Sequence, residues 1–252
     1  MNDVNKPITS KQSTMACSFL RAMCEEPARL PAMSNTLSQL IEDQLEVARS
    51  SDFSSMNETG FKQAVLAALI QLRQRTGEAV CVEIVSEYPV CSARDSGDVG
   101  RIDLLVTWDR GGRGENVSMA IIELKYVPLM CVRDDRVWAL CKKRYNHRSI
   151  AEVTKLEDRR KALNQFVDSV NRDELWTLKV LRGPSKKCVT AAKVGDDALR
   201  QARGYAKNMR TNGLAMRHLT EDLTNVQSIG TVYYYALIGV GNLALLSCCA
   251  AS

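Results

Sequence analysis

The spacing of apolar and polar residues changes several times along the chain, and each change marks an element. Residues 1 to about 34 are polar, hold three prolines and keep no period, which predicts an irregular arm. From Asn35 to Ser50, Leu37, Leu40, Ile41, Leu45 and Ala48 recur at helical spacing. A turn-rich break, "SSDFSSMN", leads to a second helix. There Phe61, Val65, Ala68, Leu69 and Leu72 share one face, and Asn57 stands where it can cap the first turn. Apolar runs of strand length follow, the first rich in valine and alternating in part. "AVCVEIVSEYPV", "RIDLLVTW" and "SMAIIELKYV" read as strands, separated by "CSARDSGDVG" and by the glycine-rich "DRGGRGEN". After Pro128 the pattern is polar and helical to about Arg172. "LWTLKVL", Leu175 to Leu181, then reads as a short strand that ends at the breaker "RGPSKK". "DDALRQARGYAKNM", Asp196 to Met209, is a helix, and "TVYYYALIGV" a strand.

This order is helix, three strands, a helical insertion, helix, then one or two strands, which is a mixed α/β domain. The expected organisation is an arm with one helix over residues 1–54, followed by a single domain over 55–252. A basic, mostly helical insertion interrupts that domain at about 127–194. The end of the chain needs its own weighing, because Leu223 to Ser252 carries no charge and is long enough to span a bilayer. Gly239, Gly241 and Asn242 split this run into two lengths suited to strands, so a pair of core strands is the preferred reading over a membrane anchor.

Composition changes this picture little. The chain has 252 residues, 45% hydrophobic and 25% charged, as in an ordinary globular protein. Its net charge of +5 permits an anionic partner, and the distribution of that charge says more. "VWALCKKRYNHR", Val137 to Arg148, holds four Lys/Arg and no acid, and Leu175 to Gly195 holds five and again no acid. Such runs can be solvated surface or can grip phosphates. Nine irregularly spaced cysteines without a CxxC pair, and only two histidines, speak against a zinc site. The start of the chain does not read as a signal peptide, so a reducing intracellular compartment, cytoplasm or nucleus, is expected.

The candidate chemistry lies in "GRIDLLVTWDRGGRGENVSMAIIELKY", where three charges interrupt two apolar strands. Side chains alternate across a strand, so Glu123 and Lys125 share one face, and pairing the strands can bring Asp103 to them. Two neighbouring carboxylates repel, and burial disfavours their ionised forms further. A divalent cation removes that penalty. Mg2+ suits it, because Mg2+ binds through one or two carboxylates, waters and substrate phosphate. Lys125 could then orient a water or offset charge on a phosphate. Without a metal, the same residues would form a buried Asp–Lys–Glu network or a half-exposed strand face. Glu83 and Glu87, on the preceding strand, read as rim charges, and His147 as a surface or phosphate-contacting residue.

"GRIDLLV … AIIELKY" resembles the paired motif of the PD-(D/E)XK nuclease superfamily. Asp103 matches the motif aspartate, with Ile102 in place of the proline, and Glu123 and Lys125 match the E-x-K. The likeness covers roughly residues 55–126 and 195–246. "NETGFKQAVLAAL" resembles the first helix of these folds, with Glu58 at a position that often faces the metal. "ALRQARGYAKNM" resembles the helix after the E-x-K strand, with Gln201 and Tyr205 matched. Within the superfamily the combination is most like the nuclease domains associated with AAA-type ATPases and the modules of Crinkler-type effectors. The sequence has no P-loop, so an ATPase partner would be a separate chain.

The resemblance implies a restriction-endonuclease-like mixed β-sheet core flanked by helices, and a nuclease that requires Mg2+, or Mn2+ in its place, and acts on DNA rather than RNA. Asp103, Glu123 and Glu58 would hold the metal, Lys125 would activate water, and Gln201 and Tyr205 would shape the site. Arg101, Lys142, Lys143, Arg144, Arg200 and Arg203 are the cations expected to meet nucleic-acid backbone. Ala198, Gln201, Ala202 and Tyr205 also form one helical face, where a glutamine must find a partner. The alternatives are a non-cleaving nucleic-acid-binding or effector module of the same fold, and a structural component that docks through residues 127–194. The sequence leaves the oligomeric state open.

Overall fold

A computed structural model describes residues 57–75, 81–91, 99–109, 117–145, 156–183, 186–211, 229–241 and 243–249. The helix expected over Asn35–Ser50 lies outside these residues. The first described element is α1 (Glu58–Arg75), opened by Asn57, whose Oδ1 accepts the N–H of Gly60 at 2.9 Å. Phe61, Val65 and Leu69 of its apolar face are buried.

Three antiparallel strands follow: β1 (Cys81–Cys91), β2 (Val99–Asp109) and β3 (Val117–Val127). The insertion contributes α2 (Asp135–Tyr145) and α3 (Leu156–Ser169), then a small antiparallel hairpin of β4 (Lys179–Arg182) and β5 (Lys187–Thr190). After α4 (Ala191–Thr211) the chain returns through β6 (Ile229–Val240) and β7 (Leu243–Cys249). The main sheet has the order β1-β2-β3-β6-β7. Its parallel pair, β3 with β6, needs the long crossover that the insertion and α4 supply.

The uncharged end of the chain therefore forms the expected strand pair. Gly241 takes the turn, with φ at +58°. Gly239 stays within β6, paired with Tyr126 and Ala244, and the rings of Phe61 and Tyr126 leave no room for a side chain there: a Cβ would lie 2.7 and 2.8 Å from them. Among the described residues, no helix is long and apolar enough to cross a membrane.

Each face of the sheet carries a helix. On one side Phe61 of α1 stacks on Tyr126 of β3, with centroids 5.6 Å apart. On the other lies α4, whose Ala198, Ala202 and Ala206 are small enough to let the helix approach closely. The insertion is not a separate body. Val137 and Trp138 of α2 and Leu163 and Phe166 of α3 share one core with Val194 of α4 and with Ile238 and Leu245 of the sheet.

Two expectations need correction. The strand expected over Leu175–Leu181 is strand only from Lys179. Arg172–Thr177 is a 3-10 turn, because the Asn171 side chain accepts the Glu174 N–H and Leu175 is drawn into the core. The helix expected from Asp196 begins at Ala191, where the Thr190 hydroxyl accepts the Lys193 N–H at 3.2 Å. Strand β5 just before it was not expected, since "KCVT" is too short to show a period.

Candidate functional site

The sheet forks at the charged residues. Strands β2 and β3 pair from Asp109↔Val117 as far as Leu104↔Ile122. Beyond that point β2 remains with β1 to Val99↔Cys91, and β3 remains with β6 to Val127↔Val240. Asp103 and Glu123 are the first residues past the last rung, one on each prong. A side chain bridges the gap where the ladder stops: Leu124 N–H donates to Asp103 Oδ2 at 2.9 Å.

Strand alternation slips at the same level. Val85 and Tyr88 of β1, and Ile102 and Leu105 of β2, stand three apart, yet each pair packs in the core beneath α4. Glu87, which lies between the rungs Ser86↔Leu104 and Tyr88↔Ile102 and so faces Asp103, has φ at +56°. Holding a non-glycine residue there costs about 1–3 kcal/mol, a strain that persists only where surrounding contacts impose it.

Glu123 is fully buried; its carboxyl oxygens make no hydrogen bond of good geometry among the described residues, and the groups beside them are the backbone and side chain of Asp103 and the Lys125 ammonium. Lys125, two residues on and on the same face, places Nζ 3.5 Å from Glu123 Oε2. Burial first, and the charge of Asp103 second, push the Glu123 carboxyl up to about 8, against the partial downward pull of Lys125. Lys125 Nζ also lies 4.0 Å from Oε1 of Glu58, which is exposed at the start of α1. The structure thus gathers Asp103, Glu123, Lys125 and Glu58 at the mouth of one fork.

The sequence reading missed Lys62. This ammonium, one turn after Glu58 on α1, lies 2.6 Å from Asp103 Oδ1 and also bonds Glu87 Oε1. Its side chain is only 15% exposed. Burial alone would lower its pKa, but the bonds to Asp103 and Glu87 prevail and raise it. Its sequence signal was position. Lys62 stands three residues before Val65 and seven before Leu69, on the edge of the buried stripe, where an unpartnered lysine would be costly.

Gln201 and Tyr205 pair with each other on α4. Gln201 is exposed and donates from Nε2 to Tyr205 Oη at 2.9 Å, which supplies the partner its setting called for. Tyr205 lies over Gly100, where a Cβ would come within 2.7 Å of the ring. That places it beside β2, three residues before Asp103. Among the described residues, no hydrogen bond or ion pair joins either side chain to Asp103, Glu123 or Lys125.

Of the cations expected to meet nucleic acid, Arg101 is exposed and 4.0 Å from Glu87, Arg200 is exposed and 3.1 Å from Asp197, and Arg203 is exposed. Lys142, Lys143 and Arg144 lie in the last turns of α2, with side chains outside the described residues, and His147 lies outside them altogether. Glu87, expected on the rim, is exposed, and it is also bonded into the cluster through Lys62.

The donor set can be tested against a divalent ion. Among the described residues no group of three or more acidic, His or Cys side chains is poised as a metal cage. Mg2+ does not require one, since it binds through one or two carboxylates and keeps its waters. Glu123 offers two buried oxygens without a well-formed hydrogen bond, Oε2 lying 3.5 Å from Lys125 Nζ. Asp103 has both oxygens bonded, yet an ionised carboxylate offers about four lone-pair positions, so acceptor capacity remains. The residue types suit a Mg2+-like ion, which Asp103 and Glu123 would hold, and Glu58 lies on the far side of Lys125 from Glu123 as an exposed third carboxylate. No protein-family model matches this chain, and neither a curated protein nor a solved structure matches it.

Proposed function

We propose that the protein is a divalent-metal-dependent nuclease hydrolysing phosphodiester bonds, of DNA rather than RNA, and that its mixed sheet is restriction-endonuclease-like. The observation that carries this reading is Glu123. A fully buried carboxyl with no well-formed hydrogen bond to either oxygen, beside a second carboxylate at a fork in the sheet, is costly to ionise even with Lys125 3.5 Å away, and a divalent ion in the fork would remove that cost.

Asp103 and Glu123 would hold Mg2+, which supplies Lewis-acid polarisation of a phosphoryl oxygen and an activated water when bound. Lys125 offers one ammonium to orient the attacking water or offset phosphate charge as it develops. Leu124 N–H holds Asp103 Oδ2, which keeps the carboxylate oriented at the fork. The exposed Arg101, Arg200 and Arg203 would contact backbone phosphates, which sets orientation rather than sequence.

The test is cleavage of plasmid, linear and branched DNA, with single-stranded RNA alongside, in Mg2+ or Mn2+. Wild-type protein cuts, and Asp103→Asn, Glu123→Gln and Lys125→Ala each abolish cutting while retaining the fold by circular dichroism. Absence of cleavage by wild type on every substrate overturns the reading. A second reading, a non-cleaving nucleic-acid-binding module, draws on Lys62, which already neutralises Asp103. It predicts salt-dependent DNA binding that survives all three substitutions, with no cleavage by any form.

A further inference from the structure

Lys62 is the one described cation that reaches Asp103. Its position is not an accident of a long side chain at the surface, because three separate features converge on it. The ammonium is carried next to Phe61 at the edge of the buried stripe of α1, and its side chain is only 15% exposed. It is shared between Asp103 of β2 and Glu87 of β1, two residues that face each other across the β1–β2 ladder. Glu87 reaches it from a left-handed backbone conformation that a glutamate does not otherwise favour.

We propose that Lys62 is a resident cation of the fork. It holds Asp103 in the metal-free protein, and it is left to Glu87 alone when a divalent ion takes the aspartate. Glu87 is then the berth that keeps the displaced ammonium from competing for Asp103, which gives the strained residue a reason to be where it is. The inference rests on reading Asp103 as a metal ligand. It makes Lys62 and Glu87 positioning residues that act through Asp103, and neither has to touch substrate.

The test is calorimetric titration of the full chain with Mn2+ alone, without nucleic acid, on wild type, Lys62→Met, Glu87→Gln and the double variant. Methionine keeps much of the apolar stem and removes the charge. Lys62→Met should bind Mn2+ on the order of tenfold tighter, because the ion no longer displaces a cation. Glu87→Gln should bind it on the order of tenfold more weakly, because the ammonium then has only Asp103 to hold.

The decisive comparison is the double variant. If Glu87 acts through Lys62, its substitution changes Mn2+ affinity far less once Lys62 is gone, whereas a general field effect adds equally in both backgrounds. An unchanged or weaker affinity in Lys62→Met overturns the inference, as does a Glu87→Gln effect that persists undiminished without Lys62. Should Lys62→Met not fold, Glu87→Gln alone decides: affinity equal to or above wild type overturns it. If wild type binds Mn2+ and cleaves DNA while these variants leave affinity unmoved, the inference falls and the nuclease reading stands. If wild type binds no Mn2+, both fall.

Discussion

Burial of Glu123 makes the stability of the metal-free protein depend on pH in a way one substitution can isolate. The carboxyl is raised from 4.5 to about 8, by burial and by Asp103. Its folded-state pKa thus lies above its unfolded value, so the native state keeps a proton that the unfolded chain gives up. The stabilising contribution of the protonated form is complete below about 4.5 and is lost as pH rises toward 8. At 1.36 kcal/mol per unit the total is about 5 kcal/mol, a large share of a domain's stability.

The perturbation is Glu123→Gln, which keeps the shape and cannot ionise. Its buried amide costs about 1–3 kcal/mol if its hydrogen bonds are unmade, but that cost is the same at every pH. Urea unfolding in the presence of a chelator, at half-unit steps from pH 5 to 8.5, gives the two stability curves. Wild type should lose up to about 1.4 kcal/mol per pH unit relative to Glu123→Gln across this window. The other resolved carboxyl shifts, at Asp134 and Asp197, are downward and act below the window, so they cancel in the comparison. Saturating Mg2+ should recover stability at pH 8 in wild type and not in Glu123→Gln, since the ion binds the ionised carboxylate. Parallel curves for the two proteins in chelator would refute the argument and imply that water or a donor already satisfies Glu123.

Two further outcomes follow from the packing. Asp134 is buried and accepts from Arg136 N, Nε and Nη2 and from Lys179 N at 2.8–3.1 Å, tying α2 to the small hairpin. Burial alone would raise its carboxyl, but these bonds hold it below the usual range, so the stability they give is present above its unfolded pKa of 3.8 and is lost on further acidification. Asp134→Asn should cost about 1.5–3 kcal/mol at pH 7 by denaturant titration, and a change under 0.5 would contradict the role. Gly239→Ala puts a methyl against Phe61 and Tyr126 and should cost about 1–3 kcal/mol. Because it displaces α1, it should also weaken Mn2+ binding, and an unaltered melting temperature would show that the rings have room to move.

How much of this was legible depends on the range of the information. The strands of "RIDLLVTW" and "SMAIIELKYV" declare themselves as short apolar runs bounded by turn-forming loops, and Asn57, Phe61 and Val65 declare α1 through a cap and a stripe. Gly241 ends β6 because a positive φ is a local demand, readable from one residue. Alternation also places Glu123 and Lys125 on one face. By contrast, the 3-10 turn at Arg172–Thr177 depends on Leu175 finding a core assembled from α2, α3 and the sheet, and no local period encodes it. Gln201 fits a helical stripe by spacing, yet it is exposed and pairs with Tyr205, because the small alanines on either side bring α4 down without it.

The fork lies at the far end of this scale. Where the β2–β3 ladder stops is decided by two other partnerships, β2 with β1 and β3 with β6, the second made by strands more than a hundred residues apart. A pairwise reading of the hairpin puts Asp103 opposite Glu123 and continues the ladder past them. The tertiary structure separates the prongs there instead, leaving Glu123 without a well-formed hydrogen bond and Asp103 to a lysine from a helix on the opposite side of the sheet from α4. Charges inside apolar strands therefore marked the location of the site, whereas their protonation and their partners were set by elements those strands do not contain. Lys62 shows why: beside Phe61 it reads as the polar edge of an amphipathic helix, and only the unpaired ends of β2 and β3 turn that edge into the counter-charge of a buried cluster.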